Sequence, residues 1–305
     1  MNSSMPAEQK HNIFLLGGSG FIGRLLAQRL LEAGHSVSIV SRTPEKCSRL
    51  KQSGMACLPF KPQAFTHLMQ GHTVLVNLIG ILNEPEHNGA TFHEVHVELT
   101  QQALQAAKQA GIKRYLHMSA LGAQVQHGSS FYQRSKGEAE DWAHTWGAQN
   151  DIAVTSFRPS VVFGPGDSFL NRFAQLAKLM PGVFPLACPD ARFSPVYVGD
   201  VVDGFVQALN RPETAGQRID LCGPDDFSLK DIVERACRLS GHPRMVIGLP
   251  DWMARLQARL LEHAPGQPFT RDNYASLQTP NVCPAGCPRQ PTRLDDIAPT
   301  YLKKR

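Results

Sequence analysis

One short segment constrains this chain more than any other: Gly17-Gly18-Ser19-Gly20-Phe21-Ile22-Gly23, set between an apolar run and a helical pattern. Ile13-Phe14-Leu15-Leu16 before it reads as a buried strand. Residues 20–33 after it carry Leu26 with Leu30 and Ala27 with Leu31 at helical spacing, and stop at Gly34. Gly17, Gly20 and Gly23 fall three apart. In a strand-turn-helix unit such glycines allow a tight turn, close approach of a pyrophosphate to the backbone, and close packing of helix on strand. The helix start adds unpaired N–H groups and the positive end of its dipole. The segment predicts a dinucleotide-binding turn, with Gly17, Ser19, Gly20, Phe21, Ile22 and Gly23 as the contacting residues.

The rhythm set by that unit continues. Strands are predicted at Val37–Val40, Met55–Pro59, Thr73–Ile79, Tyr115–Met118 and Ile152–Phe157, with helices over 90–110 and 130–147. Alternation of this kind predicts a doubly wound parallel α/β sheet of Rossmann type. After Arg158-Pro159 the pattern breaks into Gly/Pro-rich pieces, with helices near 168–179, 200–210 and 228–240 and a strand near Gln217–Leu221. Prolines crowd 243–305 and predict a loop-rich tail. The expected organisation is a Rossmann domain over 11–165, its sheet completed by parts of 190–222, and a smaller loop-rich substrate or lid region over 166–305.

Composition narrows the class. With 305 residues the chain is long enough for a sizeable core. No apolar run approaches the ~18–20 residues of a membrane span. The start, Met1 to Lys10, is polar and lacks the apolar centre of a secretory signal. The net charge of +5 is spread out apart from Lys303-Lys304-Arg305, so a nucleic-acid partner is not expected. Seven cysteines, an odd number without a framework, suit a reducing compartment. Cys283 and Cys287 are the one close pair; with no second pair to complete a metal site they read as ordinary thiols, and Cys222 and Cys237 as buried ones. The expected location is cytoplasmic, with peripheral contact to the inner face of a membrane left open.

Two further features refine the chemistry. NAD sites usually carry an acid at the end of the second strand; here stand Ser41-Arg42, with no acid until Glu45. A guanidinium pairs with a 2′-phosphate that a carboxylate would repel, so NADP(H) is favoured over NAD(H). Tyr132 and Lys136 stand four apart, on one face of the 130–147 helix. An ammonium nearby lowers a phenol pKa toward acid-base use. Ser119, at the carboxyl end of the fifth strand, is placed to polarise a carbonyl, and the three form the candidate catalytic set.

Together the glycine turn, Ser119, Tyr132-x-x-x-Lys136, Arg158-Pro159-Ser-Val-Val-Phe-Gly164 and Pro195-Val-Tyr-Val-Gly-Asp200 resemble the extended or atypical short-chain dehydrogenase/reductase superfamily over roughly 11–242. Val76-Asn77-Leu78-Ile79-Gly80, the run Gly111 to Ser119, Tyr132 to Glu138, and Pro265 to Asp272 resemble a narrower group. It contains the NADPH-carrying accessory subunit of mitochondrial complex I and its free-standing bacterial relatives. The resemblance implies Tyr132 as proton donor or acceptor, Lys136 on the nicotinamide ribose, Ser119 on the substrate carbonyl, and cofactor contacts from Leu78, Gly80, Pro159 and Val161. Two departures stand out: His96 where many members carry an Asn serving a proton relay, and Pro59-Phe60-Lys61 where Gly-Asp is common.

The leading expectation is an NADP(H)-dependent oxidoreductase acting on a carbonyl, hydroxyl or quinone-like small molecule. The alternative is a nucleotide-binding structural or assembly factor linked to complex I or quinone metabolism; a nucleotide-sugar epimerase or dehydratase ranks last. His87, His93 and His96 lie close in sequence without a carboxylate to complete a metal site, and no metal is expected. Residues 251–261 form an amphipathic helix with Trp252, Leu256 and Leu260 on one side and Arg255 and Arg259 nearby. It reads first as a lid packed over the cleft, and second as a membrane-surface helix collecting a quinone. Oligomeric state stays open.

Overall fold

The computed structural model describes residues 9–42 and 55–303. The polar start over 1–8, Glu45 and the terminal pair Lys304-Arg305 lie outside the described residues. In the first half, β1 (Asn12–Leu16), β2 (Ser36–Ser41), β3 (Ala56–Pro59), β4 (Val74–Asn77), β5 (Arg114–Met118) and β6 (Ala153–Pro159) alternate with helices. These are α1 (Phe21–Glu32), the short α2 (Phe65–Leu68), α3 over 90–109 and α4 (Phe131–Gln149). The second half contains β7 (Val162–Phe163), α5 (Leu170–Leu179), β8 (Val183–Leu186), β9 (Arg192–Phe193), β10 (Val196–Tyr197), α6 (Val198–Leu209) and β11 (Arg218–Leu221). It continues with β12 (Phe227–Ser228), α7 (Leu229–Leu239), β13 (Met245–Gly248), α8 (Asp251–Leu261), α9 (Arg271–Ser276) and α10 (Leu294–Leu302).

Seven strands form one sheet in the order β3-β2-β1-β4-β5-β6-β11, every neighbour parallel. The order reverses between β1 and β4, so a crevice opens at their carboxyl ends, where ligands of open α/β sheets bind. Strand alternation builds both faces. Ile13 and Leu15 join Leu26 and Leu30 of α1 and Val202 and Phe205 of α6 in one core. Phe14 and Leu16 join Phe65, Leu99, Ala103 and Leu104 in the other. A third core ties α5, β8, α7 and α10 through residues such as Ala177, Phe184, Ile232 and Ala298.

The structure corrects several expectations. The tail is more helical than its prolines suggest: α8, α9 and α10 lie within it, and α10 tolerates Pro299. The side chain of Cys222 is not a free thiol but is joined to Cys283 in a disulfide. The tail runs beside the edge strand β11, with a bridge between Cys222 and Arg289, which brings together two cysteines 61 residues apart. Cys283 is therefore not an ordinary thiol either, and Cys287 is the free member of the close pair. The apolar stripe of α8 does not pack as a lid. The helix seats its small face, Ala254 and Ala258, inward, and leaves Trp252 67% and Leu260 63% exposed. Among the described residues no helix is long and apolar enough to cross a membrane.

Candidate functional site

The glycine turn has the geometry its residues require. Gly17 sits at φ +80°, in the left-handed region that glycine adopts without strain. A Cβ on Gly23 would stand 2.2 Å from the carbonyl oxygen of Gly17, so only glycine lets α1 approach the turn this closely. Gly20 caps α1 without a side-chain oxygen, and the first turn holds no acidic residue. The first-turn N–H groups of α1, with Phe21 and Ile22 leading it, thus face the crevice side for an anion. Such a cradle fits a dinucleotide pyrophosphate.

Beside it, the hydroxyls of Ser41 and Ser19 lie 3.5 Å apart, which brings the end of β2 against the turn. Arg42 follows, exposed. Arg24, which the sequence did not single out, donates its Nε to the Ser19 carbonyl at 2.8 Å. Its signal was only its place one turn into α1. Leu78 and Gly80 follow β4; Leu78 donates its N–H to the Leu16 carbonyl at 3.0 Å. Pro159 ends β6 and Val161 follows it, so all four resemblance-derived residues line the carboxyl ends of the strands.

The second cluster gathers on α4. A capping box at Ser130 and Gln133 starts this helix, and Lys136 is buried within it. Its ammonium donates to the Met118 carbonyl at 3.0 Å and lies 3.5 Å from that of Ile79. Burial pushes its pKa down to about 8, against the pull of Glu140. A Cβ on Gly80 would meet Lys136 Nζ at 3.1 Å and His96 Nε2 at 3.5 Å, so the absent side chain lets these groups converge. The ring of Tyr132 packs edge-on to His96, centroids 5.6 Å apart.

Two details of this cluster bear on its chemistry. Burial and the neighbouring Asp272 carboxylate push the Tyr132 phenol up to about 12, and the Lys136 ammonium is engaged by backbone carbonyls. The Ser119 hydroxyl donates to Glu140 at 2.5 Å. Glu140 is fully buried and also receives Arg158 at 2.9 Å and Arg218 at 2.8 Å. This buried ionic cluster, which the sequence did not suggest, ties Ser119 into the β5–β6–β11 edge.

His96 is equally committed. It lies on a π-helical turn, His93–Glu98, inside α3, a distortion that often marks a functional site. Its Nε2 accepts the Ile81 N–H at 3.1 Å, which places the ring proton on Nδ1. That proton is donated to Ser135 Oγ at 2.9 Å, and the serine donates to the Tyr132 carbonyl at 3.0 Å. Burial and Lys136 hold the imidazole neutral, with a pKa of about 2. Of the other two histidines, His93 lies between Glu98 and Glu138, 3.4 Å from each, and His87 stacks edge-on to Phe131. From the tail, Asp272 accepts the N–H of Phe131 at 2.7 Å and of Tyr132 at 3.3 Å. It is an acid at the α4 N-terminus supplied from 140 residues away.

The profile of the NAD dependent epimerase/dehydratase family matches residues 13–222. The chain is 28% identical over 302 residues to the Mus musculus NADH dehydrogenase [ubiquinone] 1 alpha subcomplex subunit 9, mitochondrial, covering 92% of this chain and 77% of that protein. It is 24% identical to UDP-glucose 4-epimerase of Vibrio cholerae, over 82% of each. Among solved structures it is similar to UDP-glucuronic acid 4-epimerase from Bacillus cereus in complex with UDP-glucuronic acid and NAD. There the TM-score is 0.68 at 20% identity, over 88% of this chain and 99% of that one. With the glycine turn, the seven-stranded sheet and the match over 13–222, the chain belongs to the NAD-dependent epimerase/dehydratase family.

Proposed function

We propose that this chain binds a nicotinamide dinucleotide, NADP(H) in preference to NAD(H), and holds it without turning it over, as a peripheral subunit or assembly factor of respiratory, quinone-linked machinery. The observation that carries this is the commitment of the polar groups around Tyr132. Ser119 serves Glu140, His96 is locked between Ile81 and Ser135, and Lys136 is engaged by Met118. A general acid-base site needs a group with a pKa near working pH and a path for its proton, whereas the phenol here stands near 12. When bound, the dinucleotide would supply hydride chemistry in principle. Around it the chain supplies a phosphate cradle from Gly17 to Gly23, cations from Arg24 and Arg42 for a 2′-phosphate, and Lys136 for a ribose. The likeness to complex I subunits over 92% of the chain favours the respiratory setting.

The second reading is an NADP(H)-dependent oxidoreductase on a carbonyl or quinone-like molecule, favoured by Tyr132 and Lys136 standing on one face of α4. The test is to offer NADPH-loaded protein a panel of quinones and aldehydes and follow the nicotinamide absorbance. The nucleotide should stay reduced and elute with the protein. Repeated turnover that Tyr132→Phe abolishes, with NADPH affinity unchanged, would replace this reading with the enzyme.

A further inference from the structure

The edge strand β11 and the tail bring together four potential metal ligands: one carboxylate and three cysteines. Asp220 and Cys222 are two apart at the end of β11, so they point to one side of the strand. Cys283 and Cys287 are four apart in the tail. A turn in which Cys287 donates its N–H to the Pro284 carbonyl at 3.2 Å, with Gly286 at φ +82°, folds the second back toward the first. The tail is fixed there: Gln290 donates to the Cys222 carbonyl at 2.8 Å. A carboxylate oxygen of Asp220 and the sulfurs of Cys283 and Cys287 lie within 4.8 Å of one another. The Cys222 sulfur is bonded to Cys283. Asp220 Oδ1 is buried without a hydrogen-bond partner, an arrangement that costs about 1–3 kcal/mol in a stable fold and calls for a partner.

We propose that Asp220, Cys222, Cys283 and Cys287 are the ligands of a redox-gated site for zinc or a similar thiophilic divalent cation. Three sulfurs and one carboxylate oxygen make a four-coordinate set of the kind zinc takes. A Cys₃Asp zinc centre carries a charge of −2 (three thiolates and a carboxylate against Zn²⁺); Arg158 near Asp220 and Arg289 near Cys287, each also paired with another carboxylate (Glu140 and Asp226), offset part of it. In the disulfide state Cys222 and Cys283 are joined to each other and the set is incomplete. A dithiol reductant opens it: two electrons and two protons pass to the Cys222–Cys283 bond, giving two thiols and leaving the reductant as its own disulfide. Binding of the cation then displaces three thiol protons, while Asp220 binds as the carboxylate. Either state pins the tail, and with it the Asp272 carboxylate on α4, to the sheet edge.

The test uses the full chain, reduced with a dithiol, freed of reductant and titrated anaerobically with Co²⁺ or Zn²⁺. One cation per chain is expected, with the thiolate-to-cobalt charge-transfer and d–d absorption of a tetrahedral site, and no stoichiometric uptake by the oxidised protein. Asp220→Asn and Cys287→Ser should each weaken binding by at least about 10-fold, the lower end of what even outer-shell changes produce. Neither removes the disulfide, so both are read on protein whose oxidised fold is checked first by circular dichroism; Cys237→Ser should change nothing. The proposal is overturned if reduced protein takes up no cation, or if uptake is indifferent to Asp220→Asn and Cys287→Ser. It is also overturned if, in place of reduction, the Cys287 thiolate attacks the Cys283 sulfur and releases Cys222 as a thiol, so that peptide maps show a Cys283–Cys287 disulfide while zinc stays free.

Discussion

At Gly23 a methyl group has nowhere to go, and at Arg42 an exposed cation follows the end of β2; between them these two positions bear most on what the crevice takes. Arg42→Ala should weaken NADPH about 10–100-fold while barely touching NADH, since a hydrogen bond to a charged group is worth about 1.5–3 kcal/mol. Equal losses, measured by calorimetry, would remove the argument for the 2′-phosphate. His96 makes a separate prediction. Its folded pKa is about 2 against an ordinary 6.5, so the unfolded chain binds the proton first. The stability it contributes is whole above pH 6.5 and is lost progressively as pH falls from there toward 2. Chemical denaturation as a function of pH should show that slope, and His96→Asn should flatten it; an unchanged slope would mean other groups carry it.

Elements differ in how much of themselves they show in sequence. The strands β1, β2, β4 and β5 fall within a residue or two of where apolar runs bounded by glycine and polar residues place them, because a buried parallel strand is apolar on both faces. The glycine turn was legible because Gly20 and Gly23 both answer to the Gly17 carbonyl only a few residues away. What stayed hidden depends on distant chain. Glu140 and Arg218 meet across 78 residues, and Asp272 reaches α4 across 140. The π-turn at His96 leaves the apolar spacing of α3 looking like ordinary helix. The direction of α8 was misread because an apolar stripe normally faces the core, whereas here the two alanines allow closer packing. Removing the distant acid tests the element it serves. Asp272→Ala should cost about 1 kcal/mol of stability, the usual worth of a helix N-terminal acceptor, lowering the thermal midpoint; no change would mean that water replaces it.

For the molecule as a whole, α8 leaves an apolar stripe exposed to its surroundings. Trp252, Leu256 and Leu260 are exposed, with Arg259 exposed beside them and Arg255 paired to Asp251 at 2.8 Å. An apolar stripe flanked by arginines on a chain of net charge +5 suits shallow insertion into an anionic lipid surface. Flotation with vesicles rich in anionic lipid should carry the protein up, and serine at Trp252, Leu256 and Leu260 together should leave it at the bottom. Flotation of that variant equal to the parent would assign the stripe another role. The claim on which the rest depends is the nucleotide itself, and calorimetric titration of nucleotide-stripped protein with NADPH and then with NADH tests it most directly. One NADPH per chain, bound at least about 10-fold more tightly than NADH as a charge-assisted phosphate contact requires, is the predicted result. Equal affinities, or heat from neither nucleotide, would contradict it.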